Sequence, residues 1–157
     1  MKAIIVCTSV SHGNTKKVAD VMGRVLDARV VTPGEVDVAE LADYDLVGFG
    51  SGIFNMAFHP DLRKFVAALP EQQWRKAFVL ASSGLPEPPF RRYVRSMVRQ
   101  LEQKGFEVVD TFHGRGFDTY APFKLVGGIK KGRPNAADLE EALLFAEGLR
   151  TRIGAAS

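Results

Sequence analysis

The feature that most constrains this chain is an alternation that runs along its whole length. Short apolar runs are each followed by a segment with helical spacing. Ala3–Cys7 is a continuous apolar run, the pattern of a strand buried on both faces. Between Thr15 and Leu26 the apolar residues fall at Val18, Val21, Met22 and Val25, one face of a helix. Ala28–Val31 reads as a second strand, closed by Thr32-Pro33-Gly34. Leu46–Phe49 is a third, followed by Gly50-Ser51-Gly52 as a loop. Leu62, Phe65, Val66 and Leu69 mark a helix with Pro60 in its first turn, where proline is tolerated. Ala77–Leu80 is a fourth strand. Phe90, Val94, Met97, Val98 and Leu101 give the next helix, which Gly105 ends. Phe106–Phe112 is a fifth strand. A last helix opens at an Asn135 N-cap and buries Leu139, Ala142, Leu143, Ala146 and Leu149. Strands alternating with helices imply an α/β fold, a doubly wound parallel sheet with right-handed crossovers. The piece Glu35–Ala42 has room for only a helical turn or two.

With 157 residues the chain fits one domain, taken as 1–157, and Gly114–Pro134 is its longest irregular piece. A 46% apolar and 25% charged composition is that of an ordinary globular chain and excludes disorder as the main state. Cys7 is the single cysteine, so an internal disulfide and a cysteine-based metal site are both excluded. No apolar run approaches the ~20 residues that span a bilayer, and the apolar start is too short for a signal peptide. The expected location is cytoplasmic. A net charge of +3 is too small by itself to signal nucleic-acid binding.

A doubly wound sheet holds its ligand at the carboxyl ends of its strands. The loops that matter are therefore Thr8–Thr15, Gly50–His59, Ser82–Pro89 and Gly114–Tyr120. The first offers four hydroxyls, an amide, an imidazole and one glycine, with the N–H groups of the following helix behind them. Such a loop can cradle a phosphate without a lysine; it can equally be a hydroxyl-rich helix cap. Lys16 and Lys17 sit in the first helical turn, where the dipole disfavours cations and a bound dianion would offset the conflict. The chain lacks the G-x-x-x-x-G-K-[ST] and G-x-G-x-x-G patterns of other phosphate loops. A receiver-type sheet is rejected because no carboxylate ends the first or third strand.

Ser9-x-Ser11-His12-Gly13-Asn14-Thr15, Gly50-Ser51-Gly52-Ile53-Phe54, Ser82-Ser83-Gly84 and the stretch from Arg115 to Asn135 together resemble the flavodoxin family, in its short-chain form. The resemblance covers nearly the whole chain. It implies a five-stranded sheet in the order 2-1-3-4-5 and one FMN, bound non-covalently. Ser9, Ser11, His12, Gly13, Asn14 and Thr15 would hold the phosphate. Ser51, Gly52, Ile53, Phe54 and Phe58 would flank one face of the ring system. Ser82, Ser83, Gly84 and Leu85 would meet its other side and pyrimidine edge. No residue would be catalytic in the bond-making sense, because the cofactor carries the chemistry, and no metal is implied.

Three departures stand out. Ser9 lies one residue farther from Gly13 than the family pattern sets. The loop Ser82–Pro89 holds no aromatic to stack on the flavin, leaving Phe54, Phe58, Phe90 and Phe117 as substitutes. The chain also lacks the acidity of the family's electron carriers. The rim sets Glu87 and Asp61 against His59, Arg91, Arg92 and Arg115, which raises the expected potential of the second reduction step. Arg91, Arg95 and Arg99 recur every four residues, with Arg92 beside them. They read either as a solvated face or as a dock for an acidic partner or anionic substrate.

His59 reads as a helix cap or as a flavin-edge donor, and His113 as packing. Cys7 reads as a small core residue, and Trp74 as a packing anchor away from the cofactor. Three functions follow: an electron carrier working with a redox partner protein, an FMN-dependent oxidoreductase acting on a quinone or porphyrinogen, or a flavin-less binding module. A monomer is the default.

Overall fold

The computed structural model describes residues 2–8, 14–54, 57–71, 75–82, 87–114 and 136–156. The described residues form six strands, β1 (Ala3–Cys7), β2 (Ala28–Val31), β3 (Leu46–Phe54), β4 (Ala57–Phe58), β5 (Arg75–Ser82) and β6 (Phe106–Gly114). The α-helices among them are α1 (Asn14–Leu26), α2 (Pro60–Ala67), α3 (Glu87–Gln103) and α4 (Ala136–Ala156). Five strands form a parallel sheet in the order β2-β1-β3-β5-β6, and β4 pairs antiparallel with the end of β3. Counting only the five parallel strands, this is the expected 2-1-3-4-5. No described helix is long and apolar enough to cross a membrane.

The sheet carries a core on each face, and the strands divide the volume between them. On the face covered by α2 and α3, β3 contributes the large Phe49 while β5 contributes Ala77, Val79 and Ala81. On the face covered by α1 and α4 the sizes are reversed. There β5 supplies Phe78 and Leu80, and β3 supplies Gly48 and Gly50. A Cβ on Gly48 would lie 2.4 Å from Phe78 Cζ, and one on Gly50 would lie 3.2 Å from Leu80 Cδ2. The glycines are thus the space into which the neighbouring strand's bulk packs. Phe145 of α4 closes this side, with ring centroids 5.2 Å from Phe112 and 6.0 Å from Phe78.

Strict alternation fails in β6. Phe106 faces the α2/α3 side and Phe112 the α1/α4 side, although both are even-numbered. The register explains it: Ala77 pairs with Val108 but Phe78 with Asp110, so Val109 is an extra residue in β6. A bulge of this kind flips every later side chain to the other face.

Helix ends are set locally. Asp27 takes a left-handed φ of 52° just after α1, and Gly105 one of 93° just after α3. Lys104 Nζ then donates to the carbonyls of Ala67 and Leu69 at 3.0 and 2.9 Å. These carbonyls end α2, so one lysine satisfies orphan acceptors and opposes the negative end of that helix.

Four expectations change. The Gly50-Ser51-Gly52 loop is instead the middle of β3, because its backbone pairs with Leu80–Ser82 of β5. Strands β5 and β6 run two residues farther than expected at their carboxyl ends, and α3 begins at Glu87 rather than near Phe90. Leu143, expected in the core, is 36% exposed, whereas Ala142, Ala146 and Leu149 are buried as expected and Ile153 is buried with them. Between β2 and β3 the chain makes only two 3-10 turns, Pro33–Glu35 and Val38–Asp43, as the short segment required. Trp74 and Asn135 lie outside the described residues.

Candidate functional site

The carboxyl ends of β1, β3, β5 and β6 lie along one edge of the sheet, where the sequence placed the ligand. At the end of β1, the Thr8 N–H donates to the Gly50 carbonyl at 2.9 Å, so Thr8 continues the strand by one residue. Its side chain is buried, and its Oγ1 has no hydrogen-bond partner among the described residues. A buried hydroxyl left this way costs free energy unless something external completes it. Thr8 leads directly into the hydroxyl-rich loop, and α1 follows that loop. Thr15 lies in the first turn of α1 and is buried. Asn14 is the first residue of α1. Ser9, Ser11, His12 and Gly13 lie outside the described residues.

Lys16 does not depend on a bound anion. Its Nζ pairs with Asp20 Oδ2 one turn on, at 2.9 Å on the exposed side of α1. That hydrogen bond holds the Lys16 pKa above its ordinary value, the nearby Asp20 charge adding to it. Cys7, beside Thr8, is buried, and its thiol is pushed up to about 12. Burial is the main cause; Asp20 adds to it and Lys16 opposes it. A thiol held neutral to that degree is no nucleophile at physiological pH, which agrees with a core role.

Ser51 is fully buried at the heart of β3. Its Oγ donates to the Gly52 carbonyl at 2.6 Å and accepts from the His59 N–H at 3.0 Å. The hydroxyl therefore ties the residue after β4 back onto β3. Ile53 pairs with Phe58 and Phe54 with Ala57 across that turn. Phe58 is buried in the α2/α3-side core, so most of its ring contacts protein. His59 caps α2, its Nδ1 accepting from the Asp61 N–H at 3.0 Å, which places the ring proton on Nε2. His113 is half-buried on β6. Ser82 ends β5; Ser83, Gly84, Leu85 and Phe117 lie outside the described residues.

A cavity of about 670 Å³ opens between Thr8, the Thr32–Gly34 turn and the side of α2 that carries His59, Asp61 and Lys64. The Pro33–Glu35 turn and α2 leave this space between them. Thr32 N–H donates to Glu35 Oε1 at 2.8 Å, which holds the Glu35 carboxyl below its usual range. Sequence reasoning named the loops of β1, β3, β5 and β6 but not this β2-side wall. The usable signal was the shortness of the Glu35–Ala42 segment. Among the described residues no group of His, Cys, Asp and Glu side chains is placed to hold a metal ion.

A family model described as a flavodoxin domain matches residues 5–118. The chain belongs to the flavodoxin family. An uncharacterized protein of Methanocaldococcus jannaschii is 35% identical over 151 residues, covering 95% of this chain and 98% of that protein. Among solved structures the flavodoxin fold recurs in an archaeal flavodoxin (TM-score 0.71, 20% identity, 98% of this chain and 99% of that one). It recurs in oxidised flavodoxin 1 of Bacillus cereus (0.73, 20%, 93% and 95%). A WrbA-like flavodoxin of Agrobacterium tumefaciens also shares it (0.68, 15%, 93% and 92%). At such identities the structural matches speak for the fold alone.

The groups described at the end of β1 and the start of α1 are of the kind that bind a phosphate. Thr8 supplies a buried hydroxyl that lacks a partner, the loop after it is rich in hydroxyls, and the N-terminus of α1 follows.

Proposed function

We propose that this flavodoxin-family chain binds one FMN non-covalently and serves as an electron carrier between redox partner proteins. The observation that carries this reading is the buried, unpartnered Thr8 hydroxyl at the mouth of the hydroxyl-rich loop. Ser9, Ser11, His12, Gly13, Asn14 and Thr15 would surround the phosphate, with Thr8 completing the base of the cradle. The β3–β4 turn, braced by Ser51 on the His59 N–H, would present Gly52, Ile53 and Phe54 along the ring system. Ser82, Ser83, Gly84 and Leu85 would meet its other edge. FMN supplies the redox chemistry when bound, and the chain supplies position, exclusion of water and charge.

Titrating FMN into the flavin-free protein while following flavin fluorescence tests the reading. Saturable one-to-one quenching is expected. Quenching no stronger than with an unrelated protein overturns it.

A second reading is favoured by one observation, the 670 Å³ cavity beside Thr8. It lies in the size range of small-molecule sites, and it borders the proposed cradle at Thr8, so it would admit a substrate next to the cofactor. On that reading the protein is an FMN-dependent oxidoreductase for a quinone or porphyrinogen. Multiple turnovers with a soluble quinone, saturating in quinone, would establish it.

A further inference from the structure

We propose that the outward face of α3 docks an acidic protein partner through Arg92, Arg95 and Arg99; the proposal rests on the carrier reading above. One side of α3 is buried in the core. Met97 and Leu101 are buried, and Val94 and Val98 pack half-buried on the same core. Arg92, Arg95 and Arg99 are exposed, and steps of three and four put them on one stripe opposite that core. Seven residues of helix make the stripe about 10 Å long.

Several other exposed cations form ion pairs. Lys16 pairs with Asp20, Arg29 with Glu40, and Arg152 with Asp110. None of Arg92, Arg95 and Arg99 has an ion pair or hydrogen bond among the described residues, although Glu102 lies three residues after Arg99. Like charges three and four apart oppose helix formation. The stripe is therefore kept against local stability, as expected of a surface that meets its counter-charge in a partner.

Its place fits that role. Strand β5 ends at Ser82 and α3 begins at Glu87, so the first arginine stands within two turns of the segment proposed to meet the flavin. An electron-transfer partner must approach that edge. The guanidinium fork matches clustered carboxylates in two-pronged hydrogen bonds. A membrane surface would need apolar side chains interleaved with the cations. Here the interleaved exposed residue is Ser96, and Gln103 and Glu102 follow. A nucleic-acid strand would need exposed aromatics to stack on, and Tyr93 is half-buried.

The test uses the full chain supplied with FMN, and oxidised plant-type ferredoxin, a strongly acidic protein, as the probe. Calorimetry should show binding at ~20 mM ionic strength that weakens at least about tenfold by ~300 mM. The triple variant Arg92→Glu/Arg95→Glu/Arg99→Glu should lose binding. The milder triple change to Gln should weaken it about tenfold. Both variants should keep the circular dichroism of the parent, and the double variant Arg95→Glu/Arg99→Glu, farther from the proposed flavin rim, should also keep its FMN uptake. A basic cytochrome c should not bind. Absent ferredoxin binding at low salt, unchanged binding by the Glu variant, or tighter binding to a short DNA duplex or to phosphatidylserine vesicles overturns the proposal. FMN uptake is read separately from the visible band. Uptake without ferredoxin binding sinks the docking surface alone, whereas ferredoxin binding without uptake sinks the flavin reading and leaves the surface standing.

Discussion

Cys7 and Thr8 are adjacent, both buried, and opposite in consequence. The Cys7 thiol rises from 9.0 to about 12, chiefly through burial. The folded state thus holds this proton more tightly than the unfolded chain does. The resulting stability is complete below pH 9 and is lost as pH climbs from there toward 12. At pH 10.5 the loss is about 2 kcal/mol relative to pH 8. Urea unfolding of the parent and of Cys7→Ala at both pH values checks it: the parent should lose that much more than the variant, and parallel losses would contradict it. Thr8 makes the reverse prediction. Thr8→Val removes a hydroxyl that lacks a partner, so the flavin-free protein should gain about 1–3 kcal/mol in denaturant unfolding. The same change should weaken FMN binding about tenfold in a fluorescence titration. A variant that loses stability would show the hydroxyl to be satisfied within the protein. Sequence alone displayed Thr8 as one hydroxyl among several. Its lack of a partner is a fact of three-dimensional packing and could not be read from the chain.

The central strands show what patterning can and cannot carry. Apolar runs located all five parallel strands, because strands buried on both faces must be continuously apolar. The limits of β3 and β5 were hidden, since Gly50, Ser51, Gly52 and Ser82 have turn-like chemistry yet pair across the sheet. The Val109 bulge was hidden too, because nothing local distinguishes an extra strand residue from a paired one. Leu143 was misplaced because α4 buries small alanines against α1 and leaves that leucine at its edge. The glycines of β3 yield a prediction at this scale. Gly48→Ala puts a Cβ 2.4 Å from Phe78 Cζ in the middle of the sheet, and should cost about 1–3 kcal/mol by thermal or urea unfolding. Phe78→Leu in the same chain should restore part of it, and additive losses would place the clash elsewhere.

For the molecule as a whole, the layering was legible from the alternation of strands and helices, and the strand order from the resemblance to the flavodoxin family. The β2-side cavity was not, because its walls, the Thr32–Gly34 turn and α2, are brought together only in the tertiary structure. Charge is the property in which the chain departs most from the family's acidic carriers. A net +3, with Arg92 within two turns of the segment proposed to meet the flavin, favours a negative charge on the cofactor. The potential of the second reduction step should accordingly lie above that of an acidic flavodoxin measured beside it, and a more negative value would contradict this electrostatic account. The central claim is tested most directly by the visible spectrum of the FMN-supplemented, gel-filtered protein during stepwise anaerobic reduction. The account predicts flavin bands that co-elute with the chain and a long-wavelength band that builds at half reduction and then fades. A protein that elutes colourless after FMN addition would contradict it.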